Sequence, residues 1–338
     1  MTKRLLTLVL VVLLAAPALS ACAPEELALY TDLPKADVEK LIAPFVQSSG
    51  VKVKLFTFSG ADSLISAVAP QRGGVGVQPT PTANPNPPDI ILTSDMAVMA
   101  ELTQRQALAS YMPPGASALP YGANGGGYWY GFGGRGWVLA WNTELVQEAP
   151  EGFEDLASDK YPMNSVAVPN PEQYYFYPLS VYTLMGADYA MNMFQTLLLN
   201  GADFNASPSS ALGKVVSGEM RLCLTTYELA RKQKDEGRSI DFIFPDQWQG
   251  GMGTYVEFYC VALASGGRSE KNARKLDDWL LSAEAEKLSA ELGLSDVTLR
   301  DVGGDAPVVK PLAVSLEQVL RSAQAAGQAL RSMYERNR

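Results

Sequence analysis

Small polar residues and carboxylates stand at five points where a strand pattern gives way to helical spacing. The start of a helix presents unpaired backbone N–H groups and the positive end of the helix dipole. In open α/β sheets, ligands bind in the crevice outside the carboxyl ends of the strands, where such helix starts meet. Together the five would bind an anion or an oxygen-rich solute, although each alone is also explained by ordinary capping. They are residues 31–34, 59–61, 94–95, 169–171 and 225–227.

Two aromatic clusters and one arginine favour an organic solute. Four aromatic residues lie within 128–132, inside a Gly-rich segment at 121–135 that we expect to be a loop, and four more lie at 174–177. Aromatic faces stack on rings or cations, at about 0.5–2 kcal/mol each. The planar fork of Arg135 would bind a phosphate or carboxylate. The alternatives are core and hinge packing for the aromatic residues and a structural ion pair for Arg135.

The absence of histidine limits the chemistry that the chain can perform. It excludes Ser-His-Asp and Cys-His nucleophile activation and every His-dependent zinc motif. The chain also has no G-x-S-x-G pattern of the kind found at nucleophile elbows. We therefore expect a binding protein rather than an enzyme. A lipid-anchored enzyme and a structural or adhesive lipoprotein without a cleft are the alternatives from other classes.

Cys22 ends a segment with the layout of a secretory signal. Lys3 and Arg4 provide a basic start, residues 5–16 are apolar, and Leu-Ser-Ala precedes Cys22. The apolar run is shorter than the about 20 residues of a membrane-spanning helix. Leu-Ser-Ala-Cys resembles the lipobox of bacterial lipoproteins, which implies cleavage before Cys22, acylation of its thiol and a location outside the cytoplasm, lipid-anchored to a bacterial membrane. A plain signal peptide with an incidental cysteine is the alternative.

The other two cysteines, Cys223 and Cys260, lie in apolar, strand-like segments. Outside the cytoplasm they could form a disulfide. Two buried free thiols are the alternative, and the sequence does not decide between them.

Charge narrows the choice of partners. The signal holds two of the 27 basic residues and none of the 36 acidic ones, so the rest of the chain has a net charge of −11. This balance argues against nucleic acid and against an anionic membrane surface. We expect membrane contact through the lipid anchor only, a monomeric state and no resident cofactor.

Strand and helix patterns alternate along the chain, which predicts an α/β architecture with a largely parallel sheet in the first half. Residues 73–88, rich in Gly, Pro, Thr and Asn, predict a surface loop. The predicted strands are 27–30, 51–58, 89–92, 137–141, 166–168, 220–225, 241–244 and 256–264. The predicted helices are 35–47, 59–68 with Ser59 as N-cap, 95–106, 174–185, 188–200, one from Ser207 or Ser209 to 217, 227–237, 271–292 and 314–336.

The 317 residues after the signal are long for one core, so we expect two lobes. Strands 137–141 and 256–264 are where the chain could pass between them. The expected organisation is a signal peptide at 1–21, a lipidated tether at 22–26, a discontinuous first lobe at 27–136 and 260–310, a second lobe at 137–259, and a C-terminal helix at 311–338 packing on the second lobe.

Eight short motifs, in this order behind the lipobox, resemble the extracytoplasmic solute-binding proteins of ABC importers. The resemblance covers nearly all of residues 27–293 and is strongest to the branch of type II periplasmic binding proteins for ferric iron and small organic solutes. It implies two mixed-sheet lobes flanked by helices, a ligand cleft between them, and delivery to a permease and an ATPase on other chains. The motifs are LYT at 29–31, GVKV at 50–53, PDI and TSD within 88–95, GGRG at 133–136, WNTEL at 141–145, VPNP at 168–171, GE and TTY within 218–227, and LLSAEA at 280–285.

The resemblance also implies ligand residues. The carboxylate of the iron-binding branch falls on Asp95, and its paired tyrosines fall on Tyr227 and Glu228. A further tyrosine falls on Tyr174 or Tyr175, whereas the family's imidazole has no counterpart. Carboxylates and phenolates are hard donors that suit a small, highly charged cation, so the implied ferric set is Asp95, Tyr174, Tyr227 and Glu228.

The candidate ligand therefore stays open between ferric iron as cargo, a phosphorylated sugar, phosphonate or thiamine-like solute, and an oxyanion. Helix starts and resemblance together give one set of candidate ligand-binding residues. They are Tyr30, Thr31, Asp32, Ser59, Gly60, Ser94, Asp95, Arg135, Asn170, Tyr174, Tyr175, Thr226 and Tyr227.

Overall fold

The computed structural model describes residues 26–70 and 86–336. The signal peptide, Cys22 with most of its tether, and most of the predicted loop at 73–88 lie outside the described residues. Within the described ranges, none of the helices combines the length and the apolar character that crossing a membrane requires.

Strands and helices alternate through most of the described chain. The strands are β1 (Leu27–Thr31), β2 (Val53–Thr57), β3 (Ile90–Thr93), β4 (Leu108–Ala109), β5 (Tyr130–Asn142), β6 (Val166–Pro169), β7 (Asp203–Ala206), β8 (Leu222–Thr226), β9 (Ile240–Ile243) and β10 (Val256–Ala264). The helices are α1 (Lys35–Ser49), α2 (Ala61–Val68), α3 (Met96–Gln104), α4 (Phe176–Met185), α5 (Ala187–Leu199), α6 (Pro208–Val216), α7 (Tyr227–Asp235), α8 (Glu270–Leu280), α9 (Ala283–Glu291) and α10 (Leu316–Arg336).

The strands form a mixed sheet in the order β2-β1-β3-β10-β5-β8-β6-β7, with β4 added to β10 and β9 added to β5. Parallel pairs join β1 to β2 and β3, and β6 to β7 and β8. The long strands β5 and β10 run antiparallel to their neighbours. The sheet is therefore parallel in its two outer parts and antiparallel at its centre.

Strand β5 changes partners along its length. Up to Gly136 it pairs with β10, where Arg135 lies opposite Glu257. From Trp137 onward it pairs with β8 and β9. The strand therefore connects the two outer parts of the sheet, and residues placed at 135–137 lie at their junction.

Apolar cores lie on both faces of each outer part, as expected for sheets covered by helices on both sides. Around β1 and β3, one core includes α1 and α8 and the other includes α2 and α3. Around β6 and β8, one core includes α4, α5 and α10 and the other includes α6 and α7. Helix α10 packs against α4 and α5 and also contacts α3.

The expectation of a loop over 121–135 is wrong for its last six residues, which form the first half of β5. The glycines there permit close packing rather than a flexible turn. A Cβ on Gly134 would lie 2.4 Å from the carbonyl oxygen of Glu257, and one on Gly136 would lie 2.7 Å from Val297. Trp129, Tyr130 and Phe132 are buried in the core, so the packing alternative holds for three of these four aromatic residues.

Other local predictions, of a helix cap, a helix and a strand, also differ from the structure. Gly60, with φ of 149°, is the N-cap of α2 in place of Ser59, which makes no cap bond. The single helix expected at 271–292 is two helices, because Ser282 accepts a hydrogen bond from the backbone N–H of Ala285 and starts α9. Strand β7 was not predicted.

Cys223 and Cys260 are both buried free thiols. Cys223 faces the core beside α6 and α7, whereas Cys260 faces the core beside α2 and α3. The disulfide alternative is therefore wrong for this structure, and burial raises the pKa of both thiols above the ordinary value.

Candidate functional site

Two carboxylates lie where β1 and β3 end. Asp32 accepts hydrogen bonds from the hydroxyl of Thr93 (2.8 Å) and the backbone N–H of Ser94 (3.0 Å), which ties the two strand ends together. Asp95 accepts from the backbone N–H of Ala97 (2.7 Å) and caps α3. Burial raises the pKa of Asp95, the bond from Ala97 lowers it and the nearby charge of Asp32 raises it further, with a net rise. This acidic group would be stabilised by a cation.

An ion pair lies at the junction of the sheet. Nη1 of Arg135 donates to Oε2 of Glu257 at 3.0 Å, and the indole N–H of Trp137 donates to Oε1 at 3.2 Å. Burial raises the pKa of Glu257, the charge of Arg135 opposes this rise, and Asp95 adds to it. The Arg135 side chain remains 39% exposed. The guanidinium is therefore fixed by the sheet and still open to a solute.

The start of α7 lies near this ion pair. The ring of Tyr227 packs against Phe242 and Phe244, with centroids 5.4 and 5.2 Å away, and the Arg231 guanidinium lies 6.0 Å from its centroid. Glu228 is exposed in the first turn. Thr226, the N-cap residue, makes no side-chain cap bond. The first-turn N–H groups of α7 therefore receive no cap from the helix's own N-cap side chain.

Asp296 meets α7 from the segment that follows α9. Its Oδ1 accepts from the backbone N–H of Gly136 at 2.9 Å. Its Oδ2 is buried and has no hydrogen-bond partner, and the carboxyl is close enough to the backbone N–H of Glu228 for that group to lower its pKa. Burial raises the pKa of Asp296 to about 7, although Gly136, Arg135 and the Glu228 N–H all oppose that rise.

A cavity of about 830 Å³ separates α7 from the segment after α9. Its walls carry charges of both signs, with basic side chains on α7, α9 and β5. Among its lining residues are Arg135, Tyr227, Glu228, Arg231, Tyr259, Lys287 and Asp296. The space is large enough for a small organic solute and combines a helix start with a guanidinium.

The aromatic residues before α4 do not line that cavity. Tyr174 packs edge-on against Trp137, with centroids 6.1 Å apart. Tyr175 is 44% exposed and lies 4.6 Å from the Phe176 ring. Burial, and then the charge of Asp95, raises the pKa of the Tyr175 hydroxyl. Tyr175 therefore lies within electrostatic reach of Asp95.

The candidate residues from the sequence fall in different environments. Tyr30 and Thr31 belong to the core, at 3% and 0% exposure, and Thr226 is also buried. The side chain of Asn170 accepts from the backbone N–H of Glu172 and forms a turn. Ser59 is exposed beside Gly60 at the start of α2. The other candidates fall into separate groups: Arg135, Tyr227 and Glu228 line the cavity, Asp32, Ser94 and Asp95 lie at the ends of β1 and β3, and Tyr174 packs on Trp137 beside Tyr175.

The implied ferric set does not form one group. Tyr227 and Glu228 line the 830 Å³ cavity, whereas Asp95 and Tyr174 do not. Within residues 26–70 and 86–336, no cluster of three or more His, Cys, Asp or Glu side chains could hold a metal ion. Tyr227 is also enclosed by two phenylalanine rings. The four residues inferred as iron ligands are therefore split between two places.

Sequence reasoning missed Glu257 and Asp296. Glu257 had a signal, since it is the single charged residue in the apolar strand β10. Asp296 had none, because it lies in an irregular segment and meets α7 only through the tertiary fold.

Comparison with known proteins finds a matching family and similar proteins. The model of a family described as bacterial extracellular solute-binding protein matches residues 85–314. A Salmonella typhi protein named for binding 2-aminoethylphosphonate in the periplasm is 22% identical over 273 residues, which cover 75% of this chain and 77% of that protein.

Solved structures share the fold. Ferric iron-binding protein A of Mannheimia haemolytica, in an open conformation, superposes with a TM-score of 0.74 at 20% identity and covers 91% of this chain and 98% of its own. A Trichodesmium protein in complex with iron and citrate has a TM-score of 0.74 at 19% identity, covering 91% and 99%. The Actinobacillus pleuropneumoniae protein AfuA with fructose-6-phosphate bound has a TM-score of 0.58 at 17% identity, with the same coverage.

Proposed function

The chain belongs to the family of bacterial extracellular solute-binding proteins, and from this premise we propose which solute it captures and how it is held. It captures a small solute outside the cytoplasm and delivers it to an ABC permease and ATPase on other chains. It works as a monomer, tethered to a bacterial membrane by acylated Cys22, and it catalyses no reaction. The proposed lobes are residues 27–136 with 260–310, and residues 137–259, followed by the C-terminal helix at 311–338.

The favoured ligand is a small zwitterion with a phosphonate or phosphate at one end and an amine at the other. The observation that carries this choice is the arrangement of charge around Arg135. Arg135 shares a cavity with the start of α7, a position that favours anions, and its partner Glu257 is within electrostatic reach of Asp95. The anionic group would bind to the α7 start and Arg135, and the amine would neutralise the acidic group.

Family relatives support this ligand class. The Salmonella typhi relative is named for 2-aminoethylphosphonate, which has both ends. The structure of AfuA holds a sugar phosphate. Exposed Tyr175, which is within electrostatic reach of Asp95, would cover the amine by a cation–π contact worth about 0.5–2 kcal/mol.

Ferric iron as cargo is the second candidate, and structural neighbours that bind iron favour it. Against it stand the separation of Asp95 from Tyr227, the replacement of a second tyrosine by Glu228, and the absence of histidine. Tyrosinate ligation of ferric iron would give the protein a visible colour, so this candidate has its own test.

A calorimetric and thermal-shift comparison of matched ligands tests the proposal. The ligands are 2-aminoethylphosphonate, ethylphosphonate without the amine, ethanolamine without the phosphonate, fructose 6-phosphate and ferric citrate. A ligand at a hundredfold excess over Kd should stabilise the protein by about 2.7 kcal/mol. We expect 2-aminoethylphosphonate to exceed both of its fragments. Equal responses to all ligands, or none to any, would contradict the proposal.

A further inference from the structure

A carboxylate from a distant part of the chain lies near the start of helix α7. The side chain of its N-cap residue, Thr226, makes no cap bond. The backbone N–H of Glu228 faces instead the carboxylate of Asp296. A helix start attracts a negative charge through its free N–H groups and its dipole. Asp296 therefore supplies the anion that this helix start favours.

The segment around Asp296 is held on β5. Gly134 and Val297 form an isolated bridge, and the hydroxyl of Ser295 accepts from the N–H of Gly134 at 2.7 Å. Oδ1 of Asp296 accepts from the N–H of Gly136 at 2.9 Å. These bonds fix one oxygen on the strand that joins the two parts of the sheet, and Oδ2 stays buried without a hydrogen-bond partner. The carboxylate thus lies on the junction strand and lines the cavity that the start of α7 also lines.

Asp296 also lines the same cavity as Arg135. An anionic solute group that bound to both the α7 start and Arg135 would therefore meet the carboxylate already there. Two negative groups at one helix start repel each other, and the repulsion is stronger in a partly buried site than in water. Asp296 and an ionised solute group would compete for one position.

We propose that Asp296 is a built-in competitor for the anion position at the start of α7, and that a solute's phosphonate or phosphate binds only by displacing or neutralising it. The identity of this solute group rests on the proposed function, whereas the contact between Asp296 and α7 does not. The consequence is specificity: anions that also engage the acidic group through an amine overcome the competitor, and simple anions do not.

The competition depends on pH. The charged and titratable groups that face Asp296 are Arg135 on β5, Glu228 on α7 and Tyr259 on β10. Because burial raises the pKa of Asp296 to about 7, the carboxyl is largely protonated in slightly acidic solution and ionised in basic solution. Anion affinity should therefore fall as pH rises through this range.

The first arm of the test needs no ligand. Hydrogen exchange of the Glu228 backbone N–H is measured in the free full-length protein and in Asp296→Asn, which keeps an acceptor for Gly136 but loses the charge. Asp159→Asn is the control, because Asp159 is exposed and is not among the residues that line the cavity. We expect faster exchange at Glu228 in Asp296→Asn only. Unchanged exchange would overturn the contact with α7.

The second arm measures binding of 2-aminoethylphosphonate and inorganic phosphate by calorimetry at about pH 5.5 and about pH 8.5, on either side of the Asp296 pKa. Both ligands titrate in this range, so the wild type and Asp296→Asn are compared at each pH and the ligand's own titration cancels. We expect Asp296→Asn to bind at least about tenfold more tightly at the higher pH, with the difference disappearing at the lower pH. Asp159→Asn should follow the wild type.

Weaker binding in Asp296→Asn would overturn the proposal, because it would make Asp296 a direct partner of the solute. Equal binding at both pH values would overturn it as well. If no probe binds to either protein while Glu228 exchanges faster in Asp296→Asn, the proposed function fails and the internal contact stands.

Discussion

Replacing Asp277 with asparagine should stabilise the protein, and increasingly so as pH rises. Asp277 lies on α8 and is 2% exposed, and its Oδ1 makes no hydrogen bond. Burial, and then the neighbouring charge of Asp278, raises the pKa of its carboxyl from 3.8 to about 8. Folding therefore requires this group to keep a proton that the unfolded chain releases.

The magnitude follows from the difference between the two pKa values. One pKa unit corresponds to about 1.36 kcal/mol, so the Asp277 carboxyl disfavours folding by about 4 kcal/mol at pH 7 and by about 1.6 kcal/mol at pH 5. The pKa of the Asp277 carboxyl is higher in the folded protein than in the unfolded chain. With respect to this group, the free energy of unfolding is therefore highest below pH 3.8 and falls as pH rises toward 8. The Asp277→Asn variant should gain about 2.5 kcal/mol more at pH 7 than at pH 5.

Urea denaturation of the wild type and the variant at the two pH values measures this difference. Asp159→Asn is the control, because Asp159 is exposed and its replacement should leave the free energy of unfolding nearly unchanged at both. An Asp277→Asn variant that is destabilised equally at pH 5 and pH 7 would refute the reasoning. That result would show that the Asp277 carboxylate is ionised in the folded protein and has hydrogen-bond partners there.

Three further predictions concern the junction. Arg135→Lys should weaken binding of 2-aminoethylphosphonate at least about tenfold by calorimetry, because a point charge does not replace a planar fork, and unchanged affinity would remove Arg135 from the site. Asp95→Asn should weaken 2-aminoethylphosphonate but not ethylphosphonate, and equal losses for both ligands would contradict the assignment of the amine. Gly134→Ala should destabilise the protein by about 1–3 kcal/mol in thermal unfolding, because its Cβ would lie 2.4 Å from the Glu257 carbonyl oxygen. The control Gly213→Ala, in open space on α6, should instead be neutral or stabilise by up to about 1 kcal/mol, and equal effects of the two changes would contradict the packing argument.

The elements with clear apolar patterns could be predicted from the sequence. Strand β10 matches its predicted bounds, 256–264, because nine mostly apolar residues lie between polar segments. Helix α1 extends two residues beyond its predicted end, as far as Ser49, with Gly50 as C-cap. In these regions the local pattern and the tertiary fold favour the same structure.

The first half of β5 could not be predicted in this way. Glycine is typical of turns, and nothing local shows that the glycines at 131–136 face a close-packed segment. That packing depends on Ser295 and Val297, which lie about 160 residues away in the sequence. The loop expectation failed because the signal for the strand is entirely tertiary.

The candidate site could likewise be predicted only in part, because the tertiary fold decides which of its residues lie together. Arg135 and Tyr227 follow local motifs, and they line one cavity. Asp95 follows an equally good motif, yet it lies with Asp32 at the strand ends, apart from that cavity. Motifs locate a residue on a strand end or a helix start, whereas only the fold decides which of these ends share a space.

The central claim is that this protein captures a small solute with both an anionic and a cationic group. Mass spectrometry of the molecule released from protein purified under native conditions, together with metal analysis of the same sample, tests it most directly. We expect an aminoalkyl phosphonate or phosphate in about equal amount to the protein, absent from the Arg135→Lys preparation, and no stoichiometric iron. Stoichiometric ferric iron without an organic phosphorus compound would contradict the claim.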